Sequence, residues 1–356
     1  MERLKIGNLK IKIPIIQGGM GVGISLSGLA SAVANEGGVG VISSAGIGLI
    51  NKNYDKDYLR GNINALKKEI QQARKLTNGV LGVNIMVAMT NFADIVKTSI
   101  AEGIDIVFSG AGLPLNMPQY LFEGAKTKLV PIVSSARAAN IICAKWSGIY
   151  NYLPDAIVVE GPKAGGHLGF KRNQIFNSDY SLEKLVAEVK SSLKSFEEKY
   201  KKSIPVIAAG GIYNGSDIQK FLKLGASGVQ LGTRFVTTNE CDASDKFKQA
   251  YINAKEEDIK IIKSPIGLPG RALGSKFIEK VEAGQKRPYK CPFHCISTCD
   301  IENSPYCIVA ALINALKGNF NNGFAFAGTN AFRATKIISV KETIKNILQE
   351  YREAIK

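Results

Sequence analysis

The feature of this sequence that most restricts its fold is a repeated alternation of short apolar runs with longer amphipathic stretches. The apolar runs begin near Ile13, Val39, Leu81, Ile104, Leu129, Ala156, Ile204 and Gly228. Continuous apolar strands are typical of a parallel sheet buried on both faces. Because eight such runs alternate with helix-like segments, we predict an α/β fold, a closed (β/α)8 TIM barrel. The alternative is an open, doubly wound sheet, which normally has fewer strands and a dinucleotide-binding fingerprint on its first turn.

Amphipathic segments between the apolar runs are predicted to form helices. They comprise Leu26–Asn35, Asp57–Leu76, Phe92–Glu102, Met117–Lys126, Ala136–Trp146, Leu182–Phe196 and Ser216–Leu224. The alternation ends after Val236, where prolines and cysteines become frequent, so we predict a smaller, mostly helical C-terminal lobe. This interpretation places the barrel at residues 1–237, a helical lobe covering it at 238–335, and a C-terminal helix packing back on the barrel at 336–356.

The chain is strongly basic, with a formal net charge of +16. Such a charge can attract nucleic acid, anionic membranes or acidic proteins. The lysines are spread along the chain, and no basic run is interleaved with aromatic residues, so we do not expect nucleic-acid binding. An acidic protein stays open as a partner, and no pattern decides whether the chain forms a homodimer.

Nothing in the sequence indicates export or membrane insertion. The polar first 12 residues lack a signal-peptide pattern. No apolar stretch approaches the roughly 20 residues that a membrane helix needs. We therefore expect a cytoplasmic protein without a membrane partner, in which the six cysteines stay reduced.

Glycine gathers in the loops that follow the predicted strands, where the active site of a parallel barrel lies. These loops contain Gln17-Gly18-Gly19-Met20, Asn84, Ser109-Gly110-Ala111-Gly112, Glu160 to Gly169, Gly210-Gly211 and Gln230-Leu231-Gly232-Thr233. Glycine permits positive φ and lets the backbone approach a ligand closely. The loops therefore predict a ligand site at this end of the barrel.

Two of these glycine pairs follow the last two strands of the predicted barrel. Loops at these positions commonly bind a phosphate through backbone N–H groups, so Gly210–Gly211 and Gly232–Thr233 predict a phosphate site. The alternative is a pair of tight turns without a ligand. Gly18–Met20 could place bare backbone and a thioether against a flat aromatic ligand, or could be a strand end with Met20 in the core.

His167 is one of two histidines, and it lies in a glycine-rich loop rather than on an apolar helical face. Its ordinary pKa range suits proton abstraction near neutral pH. We expect His294, the other histidine, to be a surface residue. The pattern predicts His167 as the catalytic residue.

Four cysteines, Cys291, Cys295, Cys299 and Cys307, have the spacing C-x3-C-x3-C-x7-C. Zinc and iron–sulfur sites usually contain tighter C-x2-C pairs. On a helix the first three would share one face, and a metal would need a fourth ligand folding over them. From spacing alone we expect reduced thiols and no metal.

Taken together, the segments IPIIQGGMG, GVNIM, SGAG, EGPKAGGHLG, IPVIAAGGI and VQLGTRF resemble a known family. They occur in this order between Ile13 and Phe235. They are similar to the FMN-dependent nitronate monooxygenases and 2-nitropropane dioxygenases, a family that includes FMN-containing enoyl-acyl-carrier-protein reductases and some NAD(P)H:quinone reductases. The resemblance implies FMN as cofactor, bound by the barrel at residues 1–237 under a helical lobe. Compared with compact members, Asn51–Thr77 lengthens the second unit, and we interpret Asn53–Leu59 as a surface loop rather than a flap.

The resemblance also implies which residues contact the cofactor. They are Gln17, Gly18, Gly19, Met20, Asn84, Glu160, Gly165, Gly166, Gly210, Gly211, Gln230, Leu231, Gly232 and Thr233. His167 matches the histidine assigned as the base in nitronate monooxygenases. Glu160 stands where many relatives carry glutamine, and an ionised carboxylate accepts hydrogen bonds but cannot donate them.

Three functions follow from the resemblance and the residues. The first is oxidative denitrification of a nitronate with O₂, with His167 removing a proton or orienting the anion. The second is reduction of FMN by NADH or NADPH, followed by hydride transfer to a quinone or to an enoyl thioester on an acidic acyl-carrier protein. The third is a barrel that binds flavin without turnover.

Overall fold

A computed structural model of the chain describes residues 1–50, 55–285, 291 and 293–356. Its strands, numbered in chain order, are β1 Leu4–Ile6, β2 Leu9–Ile11, β3 Ile15–Gln17, β4 Val39–Ser43, β5 Val80–Met86, β6 Ile106–Gly110, β7 Lys128–Val133, β8 Ile157–Glu160, β9 Gly166–His167, β10 Val206–Ala209, β11 Gly228–Leu231, β12 Ile259–Lys263 and β13 Pro269–Leu273. Eight of them close a parallel barrel in the order β10-β11-β3-β4-β5-β6-β7-β8. The predicted TIM barrel is confirmed, and the open-sheet alternative is wrong.

Helices alternate with the barrel strands and continue beyond them. In chain order they are α1 Ser27–Asn35, α2 Tyr58–Leu76, α3 Phe92–Ala101, α4 Ala136–Tyr150, α5 Leu182–Tyr200, α6 Gly215–Lys223, α7 Thr233–Val236, α8 Asp245–Ile252, α9 Lys276–Glu282, α10 Ile308–Leu316 and α11 Val340–Ala354. Side-chain caps fix where several of them begin: Asp57, Ser135 and Ser339 accept hydrogen bonds from backbone N–H groups in the first turns of α2, α4 and α11.

Apolar side chains fill the inside of the barrel, including Val41, Phe108 and Val158. The hairpin of β1 and β2 adds Leu4 to the same cluster. A Cβ on Gly228, the first residue of β11, would lie 3.0 Å from the Leu4 side chain. The hairpin therefore closes the amino end of the barrel, which leaves the carboxyl end for a ligand.

The C-terminal part is mostly helical, as predicted, but it also contains a hairpin of β12 and β13. Strand β13 pairs antiparallel with β9, so that Gly270 lies opposite His167 and Arg271 opposite Gly166. This small sheet, which the sequence did not indicate, joins the lobe to residues 161–169, which contain His167 and which we call the histidine loop. Helix α11 packs against α6 and α1 on the outside of the barrel.

Two local predictions need comment. The predicted helix Met117–Lys126 is wrong: Met117–Tyr120 forms a single 3₁₀ turn, after which Leu121 is extended and Gly124 has a φ of +82°. Left-handed glycine cannot continue a helix. The predicted surface loop Asn53–Leu59 lies partly outside the described residues, and α2 already begins at Tyr58. Among the described helices, none is long and apolar enough to cross a membrane.

Candidate active site

The loops at the carboxyl ends of the barrel strands enclose a cavity of about 690 Å³. This volume lies within the range of roughly 300–1,000 Å³ that is usual for small-ligand and cofactor sites. The sequence-predicted residues that line it are Gly18, Gly19, Met20, Asn84, Glu160, Gly165, Gly166, His167, Gly210, Gly211, Gln230, Leu231, Gly232 and Thr233. The structure therefore brings together residues from loops that are far apart in the chain.

Gln17 is the predicted contact residue that does not line the cavity. Its side chain is fully buried in the barrel wall, where Nε2 donates to the Val41 carbonyl at 3.2 Å and Oε1 accepts from the Val41 N–H at 3.0 Å. These bonds join β3 to β4. Gln17 thus positions the following glycines rather than facing a ligand.

His167 reaches the cavity from β9, which β13 holds in place. Its Nε2 lies 2.8 Å from the Ser264 hydroxyl, and the Phe326 ring packs edge-on with centroids 4.9 Å apart. Burial lowers the pKa of His167 from 6.5 to about 4. The imidazole is therefore neutral at pH 7 and held in one orientation.

Glu160 is the last residue of β8, beside Ala209 of β10 in the barrel register. Burial raises its pKa from 4.5 to about 7. Near neutral pH a substantial part of the carboxyl is protonated. In that form it can donate a hydrogen bond, which an ionised carboxylate cannot do.

The two glycine loops after β10 and β11 bring bare backbone to the cavity wall. Gly210 and Gly211 follow β10 with φ values of +96° and +85°, which residues with a Cβ rarely adopt. Gly232 follows β11 and directly precedes the short helix α7. Backbone rather than side chains therefore forms this part of the cavity wall.

A loop of the C-terminal lobe, residues 327–330, closes over the same glycines. The Asn330 amide donates to the Gly211 carbonyl at 2.8 Å, and the Gly328 N–H donates to the Thr233 hydroxyl at 3.2 Å. A Cβ on Gly165 would lie only 2.5 Å from the Gly328 nitrogen. We call residues 327–330 the covering loop.

Beside the loop after β11, glycine allows the ends of three strands to approach one another. A Cβ on Gly19 would lie 2.3 Å from the Asn84 Cβ. A Cβ on Gly232 would lie 3.4 Å from the Met20 sulfur. The thioether of Met20 and the bare backbone beside it form a surface against which a flat ring can pack.

Sequence reasoning missed the parts of the site that the C-terminal lobe contributes. Ser264 and Phe326 contact His167, and the buried Arg271 donates to the carbonyls of Pro162 and, at 2.8 Å, of Ala164. Only the covering loop carried a signal, since its Gly-Thr-Asn sequence resembles a turn. The other contacts come from a small sheet whose pairing joins segments about 100 residues apart.

Comparison with known proteins agrees with this geometry. A family model described as nitronate monooxygenase matches residues 2–350. A probable nitronate monooxygenase of Staphylococcus aureus is 30% identical, over 77% of this chain and 78% of its own length.

Two further proteins that resemble this chain are not named as nitronate monooxygenases. The (3aS,4S,5R,7aS)-5-hydroxy-7a-methyl-1-oxo-octahydro-1H-indene-4-carboxyl-CoA dehydrogenase of Mycobacterium tuberculosis is 29% identical, over 78% of this chain and 67% of its own. The solved structure of FabK from Thermotoga maritima superposes with a TM-score of 0.74 at 29% identity, covering 97% of this chain and 94% of that one.

Proposed function

The chain belongs to the nitronate monooxygenase family, and from that premise we propose that it is an FMN-dependent oxidoreductase that oxidises alkyl nitronates with O₂. The observation that carries the proposal is the meeting, in one cavity, of the glycine loops after β10 and β11 with the oriented imidazole of His167. The bound flavin would supply the electron-accepting ring. The glycine loops and the covering loop would hold the phosphate, and the wall at Met20 would face the ring.

The protonation state of His167 favours a nitronate over a neutral nitroalkane as substrate. A pKa of about 4 makes the imidazole a weak base, poorly suited to removing a proton from carbon at pH 7. A nitronate has already lost that proton. His167 would therefore orient the anion, and Lys163, which also lines the cavity, would supply positive charge.

The test compares two variants of the only two histidines, His167→Ala and His294→Ala. Loss of a hydrogen bond to the anion costs about 1.5–3 kcal/mol, so we expect His167→Ala to lower kcat/KM for an alkyl nitronate by about ten- to a hundredfold, measured as O₂ uptake with FMN-loaded protein. His294→Ala should stay within about twofold of the wild type, since His294 is exposed. An unchanged rate in His167→Ala would instead favour a barrel that binds flavin without using this histidine.

A second candidate is an NAD(P)H-dependent reductase acting on an enoyl thioester or a quinone. The similarity to FabK over almost the whole chain, and to a dehydrogenase named for a CoA substrate, favours it. The net charge of +16 would suit an acidic acyl-carrier protein. Anaerobic mixing with NADH or NADPH separates the candidates: rapid bleaching of the flavin supports the reductase, and an inert flavin excludes it.

A further inference from the structure

Four of the six cysteines lie within residues 291–307, which we call the four-cysteine segment. All four are partly exposed, whereas Cys143 and Cys241 are buried in the main core. Cys295, Cys299 and Cys307 pack against one small apolar cluster of the C-terminal lobe. The fold therefore gathers these thiols on one side of the lobe.

Bends, turns and one isolated bridge make up the described residues between Cys291 and α10. Because these residues are not helical, the arrangement considered from the spacing, with three cysteines on one face of a helix, does not occur. Cys307 is the N-cap residue of α10. Because Cys307 packs against the same apolar cluster as Cys295 and Cys299, the chain brings the fourth cysteine back to this side of the lobe, which spacing alone could not show.

The four-cysteine segment is attached to the wall of the active-site cavity. Ile296 forms an antiparallel bridge with Met89, and the Ser297 N–H donates to the Ala88 carbonyl at 2.9 Å. Ala88 and Thr298 both line the cavity. The described residues of the four-cysteine segment therefore support the loop after β5, although they form no helix or sheet.

The thiols influence one another electrostatically. Cys295 lies close enough to Cys307, Cys291 and Cys299 to feel their charge: burial first, and then these three neighbours, raise its pKa to about 12. Cys307 is affected in the same way, by burial first and then by Cys291 and Cys299.

Backbone N–H groups also face two of the sulfurs: the His294 N–H donates to the Cys291 sulfur at 3.3 Å, and the Val309 and Ala310 N–H groups donate to the Cys307 sulfur. Such N–H donors to cysteine sulfur are among the contacts that surround iron–sulfur clusters.

We propose that the four-cysteine segment binds a thiophilic metal centre through its four thiolates, either one Zn²⁺ or an iron–sulfur cluster. Four-sulfur coordination is typical of these two centres. Among the described residues, no three potential ligands are already spaced to hold a metal ion. The thiols must therefore move together on binding, and metal binding would fold the segment, as in other structural metal sites. The metal would then hold the described residues of the segment in place, where no helix or sheet does so.

The test is a metal and sulfide analysis of the full chain, purified anaerobically from cells grown with iron and zinc. We expect about one zinc per chain, or iron and acid-labile sulfide in equal amounts with visible absorption that is not flavin. Zinc with no sulfide identifies the single ion, and sulfide identifies the cluster. Less than about a tenth of an equivalent of either metal would overturn the proposal.

Variants locate the metal within the chain. Cys299→Ala and Cys307→Ala should each lose most of the bound metal, whereas Cys241→Ala, a buried cysteine outside the segment, should retain it. Metal content that is equal in all three variants would contradict the assignment. The wild-type analysis remains decisive if a variant does not fold, and because it reads metal rather than turnover, its failure leaves the proposed flavin chemistry untouched.

Discussion

Glu160 and His167 line the same cavity, and burial moves their pKa values in opposite directions. The pKa of Glu160 rises to about 7 and that of His167 falls to about 4, because enclosure disfavours the charged form of each group. At pH 7 the site therefore holds a neutral imidazole and a carboxyl close to its midpoint. Changes of activity between pH 6 and 8 should accordingly reflect Glu160 rather than the histidine.

The raised pKa of Glu160 has a consequence for stability. Glu160 binds its proton more tightly in the folded protein than in the unfolded chain. The contribution of this residue to the free energy of unfolding is therefore fully present below about pH 4.5 and is lost as the pH rises through 7. We expect Glu160→Gln to stabilise FMN-free protein by about 2 kcal/mol at pH 8 and by little at pH 4.5. Denaturant unfolding at the two pH values measures this, with the exposed Glu123→Gln as control. An equal effect of Glu160→Gln at both pH values would contradict the assigned cause.

Ser264 orients the imidazole through the 2.8 Å contact with Nε2. Ser264→Ala removes this contact, worth about 1 kcal/mol, together with the longer hydrogen bond that Oγ accepts from the Ile266 N–H at 3.4 Å, so we expect kcat with a nitronate to fall about fivefold while KM changes little. Ser192→Ala, on the outer helix α5, serves as control because its hydroxyl bonds only within its own helix. A rise in KM with unchanged kcat would instead assign Ser264 to substrate binding.

At the scale of single elements, the histidine loop depends on close backbone approach to the covering loop. Gly165→Ala would place a Cβ 2.5 Å from the Gly328 nitrogen, so one of the two loops must shift. We expect at least tenfold weaker FMN binding, measured by fluorescence titration, which corresponds to about 1.4 kcal/mol. Gly148→Ala is the matched control, because no atom lies within 4 Å of a Cβ there. FMN binding by Gly165→Ala at wild-type strength would show that the covering loop is not part of the site.

The packing of helix α11 against α6, away from the cavity, also requires a glycine where the two backbones come close. A Cβ on Gly215 would lie 2.0 Å from the Tyr351 nitrogen, so Gly215→Ala should destabilise the protein by about 1–3 kcal/mol. Gly148→Ala should instead be neutral or stabilise slightly, since alanine favours helix. Thermal unfolding compares the two variants. Equal melting temperatures would mean that α11 is not held against α6 as described.

The elements show what the sequence could and could not predict. The eight barrel strands were predictable because parallel strands buried on both faces form continuous apolar runs, as in β4, where every residue is buried. The segment Met117–Lys126 was predicted wrongly because its composition allows a helix, whereas the chain becomes extended at Leu121 and left-handed at Gly124. The pairing of β9 with β13 joins two short strands distant in sequence, and neither has a periodicity that reveals a partner. The glycines and the histidine that line the cavity could therefore be predicted from the sequence, but the contacts of Ser264, Phe326 and Arg271 could not.

At the scale of the whole molecule, the two ends of the barrel have different tasks. The β1–β2 hairpin closes the amino end with apolar side chains. The C-terminal lobe covers the carboxyl end and contributes Phe326 and the covering loop to the cavity wall, while its Ser264 contacts His167 from behind the wall. Cofactor and substrate would therefore meet between the barrel and the lobe, and the lobe would select the substrate.

The central claim is that the glycine loops after β10 and β11 bind the phosphate of a flavin whose ring lies near His167. Its most direct test is the binding of FMN and of riboflavin, which lacks the phosphate, to flavin-free protein. Two or more charge-assisted hydrogen bonds predict that FMN binds about a hundredfold more tightly and at about one per chain. Equal affinity for the two flavins, or a colourless protein that takes up neither, would contradict the account.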